Sequence, residues 1–127
     1  MINPFTKTEE KAIIRYVFLI VDADCNINQN EKAFVTLLGL KFGFTQLDLF
    51  NAVSMDESDA VRALSTMTMD KKKLAAVLLV AAAMSNGSSK LYRPEMDKCS
   101  DILHKCCLPK DIKFTDSLII AHQFVDR

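Results

Sequence analysis

The feature that most constrains the fold of this chain is an uninterrupted apolar run from Leu74 to Met84. At about 1.5 Å per residue, a helix of this length covers about 16 Å, roughly half of the hydrocarbon thickness of a bilayer. A helix that is apolar on all sides and too short to cross a membrane belongs in the core of a globular bundle. We therefore predict a central helix whose middle residues are all buried, namely Val77, Leu78, Leu79 and Val80.

The composition favours one all-α domain that spans residues 1–127. Three glycines and three prolines are few for a turn-rich β fold and suit helices. Sixteen basic residues balance sixteen acidic ones, so no basic surface indicates binding to nucleic acid or to an anionic membrane. Glu9, Glu10 and Arg15 argue against a signal peptide near the N-terminus. We expect a cytoplasmic protein that does not insert into membranes.

Capping residues and apolar periodicity divide the chain into about seven helices. Thr6 and Glu9, for example, have the spacing of a capping box at the start of the first helix. Short connections between the helices favour antiparallel neighbours in a compact bundle. The predicted helices run from the Thr6 cap to about Val21, from Gln29 to Gly43, from Thr45 onward, from Asp56 to about Thr66, from Thr68 or Asp70 to Asn86, from Pro94 to Pro109, and from about Thr115.

The two halves of the chain share a layout in which an apolar helix, a polar loop and a glutamate-opened helix follow one another. In each half, one apolar residue of the loop lies four positions before the glutamate, which is Glu31 or Glu95. The glutamate-opened helices also end alike, at Lys41-Phe-Gly-Phe44 and Lys105-Cys-Cys-Leu108. This common order predicts two pseudo-symmetric helical hairpins, with Glu31 and Glu95 at equivalent first-turn positions.

The layout resembles the tellurite-resistance TerB-like family, in which each half carries an Asp-Gly, apolar, then glutamate pattern between two helices. The resemblance extends from about residue 9 to residue 124. It implies a seven-helix all-α fold, a role in the stress response, and acidic residues at the paired loops that are candidates for a divalent-cation site. The matching acidic residues are Asp24, Glu31 and Glu95, whereas Cys25 replaces the first glycine and Asn86 the second aspartate.

The loop after the first helix concentrates oxygen-bearing side chains in the order Asp-x-Asp-x-Asn-x-Asn, from Asp22 to Asn28. This order imitates half of a calcium-binding EF-hand loop, but Ile27 stands where that loop needs glycine and Ala33 where it needs glutamate. Asp22 and Asp24 also follow the C-terminus of a helix, where the helix dipole disfavours an anion by about 0.3–1 kcal/mol. A cation, a lysine or the N-terminus of the next helix is needed to offset that cost.

Two interpretations of this loop stay open. In the first, Asp24 caps the second helix and Glu31 is the acid of a capping box, so the acidic residues have a structural role only. In the second, the oxygen atoms bind calcium or magnesium, which prefer such ligands. The candidate metal ligands are Asp22, Asp24, Asn26, Glu31 and Glu95.

No arrangement of nucleophile, base and acid that is typical of catalysis is visible, and no glycine-rich phosphate loop is present in the sequence. The cysteines lack the paired CxxC spacing of a zinc site, so we expect reduced thiols at Cys25, Cys99, Cys106 and Cys107. The two histidines are expected to be packed or surface side chains rather than metal ligands. We predict that the chain is not an enzyme.

These observations predict a small cytoplasmic, stress-associated interaction module that binds a divalent cation or a basic protein partner at its acidic loop face. The alternative is a carrier that holds an apolar small ligand between the alanine-rich central helix and the phenylalanine-rich second and third helices. An acidic cleft between the paired loops would favour the first function, and an apolar pocket of about 300 Å³ or more would favour the second. The sequence leaves the oligomeric state open.

Overall fold

The computed structural model describes residues 3–23, 29–85, 93–110, 112 and 114–125 of the chain. These residues form seven α-helices and, within those ranges, no β-strand, which confirms the predicted all-α fold. Most observed helix ends lie within about two residues of the predicted ones. The exception is α6, which ends at Lys105, four residues before the predicted end at Pro109, because Cys107 adopts a left-handed conformation. The helices are α1 (Lys7–Val21), α2 (Gln29–Lys41), α3 (Gln46–Val53), α4 (Glu57–Ser65), α5 (Met69–Met84), α6 (Arg93–Lys105) and α7 (Phe114–Val125).

Helix α5 is the central helix, as its apolar run predicts. Every residue from Ala75 to Ala83 is buried, including the four residues Val77 to Val80. Helix α1 packs against α5 and buries its own apolar stripe, which includes Ile13, Val17 and Ile20. The small alanine side chains of α5 let neighbouring helices approach closely, so α1, α2, α4, α6 and α7 all contact it.

Helices α1 and α5 run in the same direction. At their N-terminal ends, the Nζ atom of Lys71 on α5 lies 3.0 Å from Oε1 of Glu9 on α1. At the other end, Ser85, which follows α5, lines the same groove as Asn30 in the first turn of α2. The segments that follow α1 and α5 therefore start from the same end of the bundle. We call the end of the bundle at which α1 and α5 end, and from which the chain leads on to α2 and α6, the paired-loop end.

The helix contacts follow the predicted pseudo-symmetry. Helix α1 packs on α2 and α3, and α5 packs correspondingly on α6 and α7. Each second helix also contacts the first helix of the other hairpin, because α6 touches α1 and α2 touches α5. The first half departs from the second by one element, since two short helices, α3 and α4, follow α2 where only α7 follows α6.

The ends of α2 and α6 have the same backbone conformation, as the similarity of their sequences predicts. At the end of α2, the N–H of Phe44 donates to the Gly39 carbonyl and the N–H of Gly43 to the Leu40 carbonyl. This is a Schellman motif with Gly43 in the left-handed region at φ 72°. In α6, Leu108 donates to Leu103 and Cys107 to His104 in the same way, and Cys107 has φ 58°.

Two of the predicted caps form, at the starts of α1 and α3, whereas the side chains of Asp56 and Thr68, the N-cap residues of α4 and α5, accept no capping hydrogen bond. Thr6 accepts a hydrogen bond from the N–H of Glu9, whose carboxylate accepts one from the N–H of Thr6, so the capping box of α1 is confirmed. Thr45 and Asp48 form a second capping box at the start of α3. These reciprocal bonds satisfy N–H groups that have no partner inside a helix.

Helix α3 departs from the usual burial of apolar side chains. Ala52 is its only buried residue, Leu49 is half-buried, and Leu47, Phe50 and Val53 are exposed. Within the described ranges, no single helix is long and apolar enough to cross a membrane. Helices α2 and α3 reach the necessary length and apolar content only when taken together, and the chain bends by 107° between them.

Candidate functional site

Two buried carboxylates lie at equivalent positions of α2 and α6, the helices that follow α1 and α5 in the chain. Glu31 is the third residue of α2 and Glu95 is the third residue of α6. Their exposed fractions are 1% and 0%, so both side chains lie inside the protein. The predicted equivalence of the two glutamates is confirmed, whereas their burial goes beyond what the pattern predicts.

The N-terminus of a helix is a favourable place for a carboxylate. The N–H groups of the first turn point toward the side chain, and the helix dipole places positive partial charge there. Removing a carboxylate from water is nevertheless costly unless hydrogen bonds or a cation compensate for the lost hydration. Glu31 and Glu95 are both buried carboxylates in this setting, each in the first turn of its helix.

Asp22, another candidate ligand, lies at the end of α1. Asp22 is the C-cap of α1, and its N–H donates to the Phe18 carbonyl over 3.0 Å. Its side chain is exposed and lines a surface groove with Val53 of α3. Asp24 and Asn26, the other two candidate ligands, lie outside the described residues. Within the residues that are described, no three histidine, cysteine or acidic side chains come together as a metal site.

A groove of about 300 Å³ lies next to the paired-loop end. Side chains of α2, the end of α5 and α7 form it, and most of them are apolar. The groove is open at the surface and carries polar groups at its edge. Its lining residues are Asn30, Ala33, Phe34, Leu37, Met84, Ser85, Leu118 and His122.

The thiols that the structure describes are free. Cys99 and Cys106 are buried, and burial raises the pKa of Cys99 to about 12 and that of Cys106 to about 11. The Cys106 thiol lies beside the hydroxyl of Tyr16, whose own pKa is also raised by burial. Both thiols therefore stay protonated at neutral pH, when neither is a good nucleophile or metal ligand. Cys107 is exposed.

Sequence reasoning missed the outer face of α1. Arg15, Phe18, Leu19 and Asp22 line one groove of about 220 Å³, which Val53 of α3 completes. These four residues of α1 have the spacing i, i+3, i+4 and i+7, which places them along one side of a helix. A basic residue and an acidic residue seven positions apart, with apolar residues between them, is the signal that could have identified this face.

Comparison with known proteins adds a structural neighbour without an assigned function. No family model matches the chain, and no curated protein matches it. The fold is similar to the crystal structure of a protein of unknown function, PG1108, from Porphyromonas gingivalis W83. The two chains are 26% identical over 96% of this chain and 99% of that one, with a TM-score of 0.77. This neighbour shares the helical fold.

Proposed function

We propose that this chain is a TerB-like, non-enzymatic interaction module of the cytoplasm whose paired-loop end binds a divalent cation in a stress-associated role. The observation that supports the proposal is the burial of Glu31 and Glu95 at equivalent positions. The loops that precede both helices start from the same end of the bundle. One ion between those loops could thus be bound by residues of both halves.

The proposed ligands are hard oxygen donors, which suit calcium or magnesium. Glu31 and Glu95 supply the two buried carboxylates, and Asp24 and Asn26 are the donors that the sequence places just before α2. Asp22 is not included, because its side chain lines a groove on the outer face of α1. A basic side chain of a protein partner is the other positive group that this acidic end would suit.

The experiment is thermal unfolding with and without millimolar calcium or magnesium. Binding to the folded state alone raises stability by mass action, by about 2.7 kcal/mol when the ion is present at about 100 times its dissociation constant. For a chain of this length, that is a rise in melting temperature on the order of 5–10 °C. Asp24→Asn and Glu31→Gln should each lose most of the ion-dependent rise.

A matched control is Asp59→Asn, which neutralises an exposed carboxylate on α4, more than half exposed in its pair with Arg62. This variant should retain the full ion-dependent rise. If the parent protein shows no rise with either ion, Glu31 has only the capping role that the alternative interpretation gives it. If the control loses the rise as well, the effect comes from general charge screening and not from a site.

The carrier of an apolar ligand is a second candidate, favoured by the groove of about 300 Å³. Its volume is at the lower end of the range for small-molecule pockets, and Phe34, Leu37, Met84 and Leu118 give it apolar walls. An apolar fluorescent dye should then bind at a saturable 1:1 ratio, and Leu37→Glu should abolish that binding. Binding that Leu37→Glu leaves unchanged would exclude this groove as the ligand site.

A further inference from the structure

The outer face of α1 has a surface pattern that the proposed cation site does not use. Phe18 and Leu19 lie at its centre, with Leu19 exposed to 37%, and Val53 of α3 lies beside them with 46% exposure. Arg15 and Asp22 stand at the two ends of this apolar strip. We call the surface made by these five residues the α1 face.

The charges at the two ends of the α1 face are about 10 Å apart along the helix axis, since seven residues separate them. Arg15 is held in place by a 2.8 Å hydrogen bond from its Nε to the carbonyl oxygen of Met55 and by its guanidinium, which lies 5.2 Å from the centre of the Tyr16 ring with Nη1 buried. Asp22 is exposed at the C-terminus of α1, where the helix dipole disfavours an anion. Among the residues that the structure describes, neither charged group forms an ion pair.

Apolar surface continues from the α1 face onto α3. Phe50 lies one helical turn before Val53 and is 68% exposed, and Leu47 lies one turn before Phe50 and is also exposed. Large apolar side chains in neighbouring positions on a surface mark interaction sites when they form a continuous patch. A partner that covers the α1 face can therefore also cover the apolar side of α3.

We infer that a second copy of this chain covers the α1 face and forms a two-fold symmetric dimer. The pattern of basic end, apolar centre and acidic end is self-complementary when two α1 helices pack antiparallel. Arg15 of each copy then faces Asp22 of the other, while Phe18 and Leu19 of both copies meet at the two-fold axis. This is the defining property of an isologous interface, in which residue i contacts j and j contacts i.

The dimer also accounts for the position of Asp22. A carboxylate at the C-terminal end of a helix needs a positive partner, and the guanidinium of Arg15 from a second copy is such a partner. The α1 face therefore satisfies its own charges by self-association.

The experiment is sedimentation equilibrium of the full chain in a buffer with a chelator, so that no divalent cation contributes. The average molecular mass of the parent should rise from the monomer value of 14.3 kDa toward twice that value as its concentration rises. Concentrations from about 1 to 300 µM cover dimers of moderate affinity. Asp22→Arg and Arg15→Glu should each weaken the dimer at least about tenfold, because each places like charges opposite one another.

Mixing the two variants distinguishes the antiparallel arrangement from other modes of association. One variant carries acidic residues at both ends of the α1 face and the other carries basic residues at both ends. An equimolar mixture should therefore form a heterodimer that is within about threefold of the parent affinity, although neither variant associates alone. Arg62→Glu, which reverses an exposed charge on α4, is the control and should dimerise as the parent does.

Several results would overturn the inference. A parent that stays monomeric over the whole range excludes the dimer, and so does a mixture of folded variants that stays monomeric. Since Arg15→Glu also loses the hydrogen bond to Met55, circular dichroism must show that this variant is folded. If Arg15→Glu does not fold, Leu19→Glu takes its place as the test of the α1 face. A Leu19→Glu or Asp22→Arg protein that dimerises like the parent shows that the inference is wrong.

Discussion

Replacing Cys107 with glycine is expected to stabilise the protein. Cys107 is the one non-glycine residue with a positive φ, 58°, within the described part of the chain. It occupies the same place in the Schellman motif of α6 as Gly43 does in that of α2. An L-residue in this conformation brings its Cβ atom close to the following carbonyl oxygen, which glycine avoids because it has no Cβ.

The magnitude follows from two opposing terms. Relief of the left-handed backbone strain contributes about 1–2 kcal/mol, and the greater freedom of glycine in the unfolded chain removes about 0.5–1 kcal/mol of that gain. Cys107 is exposed, so its thiol contributes little packing that the substitution could lose. We expect Cys107→Gly to raise the free energy of unfolding by about 0.5–1 kcal/mol.

Two controls separate the backbone effect from removal of the thiol. Cys107→Ala removes the sulfur but retains a Cβ atom, so its stability should stay close to that of the parent. Gly43→Ala introduces the strain at the equivalent position, where no atom lies within 4 Å of an added Cβ, and should destabilise by about 0.5–1 kcal/mol. The opposite signs at positions 43 and 107 are the specific expectation.

Urea denaturation under reducing conditions measures the three variants. The midpoint of Cys107→Gly should rise by about 0.3–0.8 M with an unchanged m-value, because the native and unfolded states keep their solvent exposure. A fall in the midpoint for Cys107→Gly, or a stabilisation by Cys107→Ala of the same size as that by glycine, would refute the reasoning. The first result would place Cys107 outside the left-handed region, and the second would attribute the gain to loss of the thiol.

Two further predictions concern the core. Leu78→Ala should destabilise by about 2–5 kcal/mol, since the side chain is fully buried in α5, and a change below about 1 kcal/mol in urea denaturation would show that α5 lies at the surface. Burial raises the pKa of Cys106 from 9.0 to about 11 in the folded state. The free energy of unfolding should therefore fall as the pH rises from about 9 toward 11, because the thiol ionises first in the unfolded chain. Across that range, the free energy of unfolding should fall more steeply for the parent than for Cys106→Ala. Iodoacetamide should label Cys107 in the folded protein but Cys106 only after unfolding.

The parts of the fold that the sequence predicts are those that local physics determines. The run from Leu74 to Met84 is apolar at every helical phase, so only a central position can bury it, and α5 occupies that position. The capping box of Thr6 and Glu9 is likewise a local arrangement, fixed by spacing and hydrogen bonding within one turn. The glycine at position 43 marks the end of α2 for the same reason.

The parts that the sequence does not predict depend on tertiary contacts. Leu47, Phe50 and Val53 look like ordinary core residues of a short amphipathic helix, yet no neighbouring element of the described chain covers them and they are exposed. A capping acid is usually at the surface, so the pattern alone gives no indication that Glu31 and Glu95 are buried. Both features arise from how the two hairpins pack, which spacing along one segment does not determine.

Asp22 is the residue at which the cation site and the dimer could interfere with each other. A carboxylate that binds a cation cannot also neutralise Arg15 of a second copy, so a shared Asp22 would make calcium weaken the dimer, and the dimer weaken calcium binding by the same factor. The structure places the Asp22 side chain in a surface groove with Val53, whereas Glu31 and Glu95 lie inside the protein. Calcium binding and self-association should therefore be independent. If calcium weakens the dimer, Asp22 is a ligand of the cation, and the α1 face has no acidic residue left to pair with Arg15.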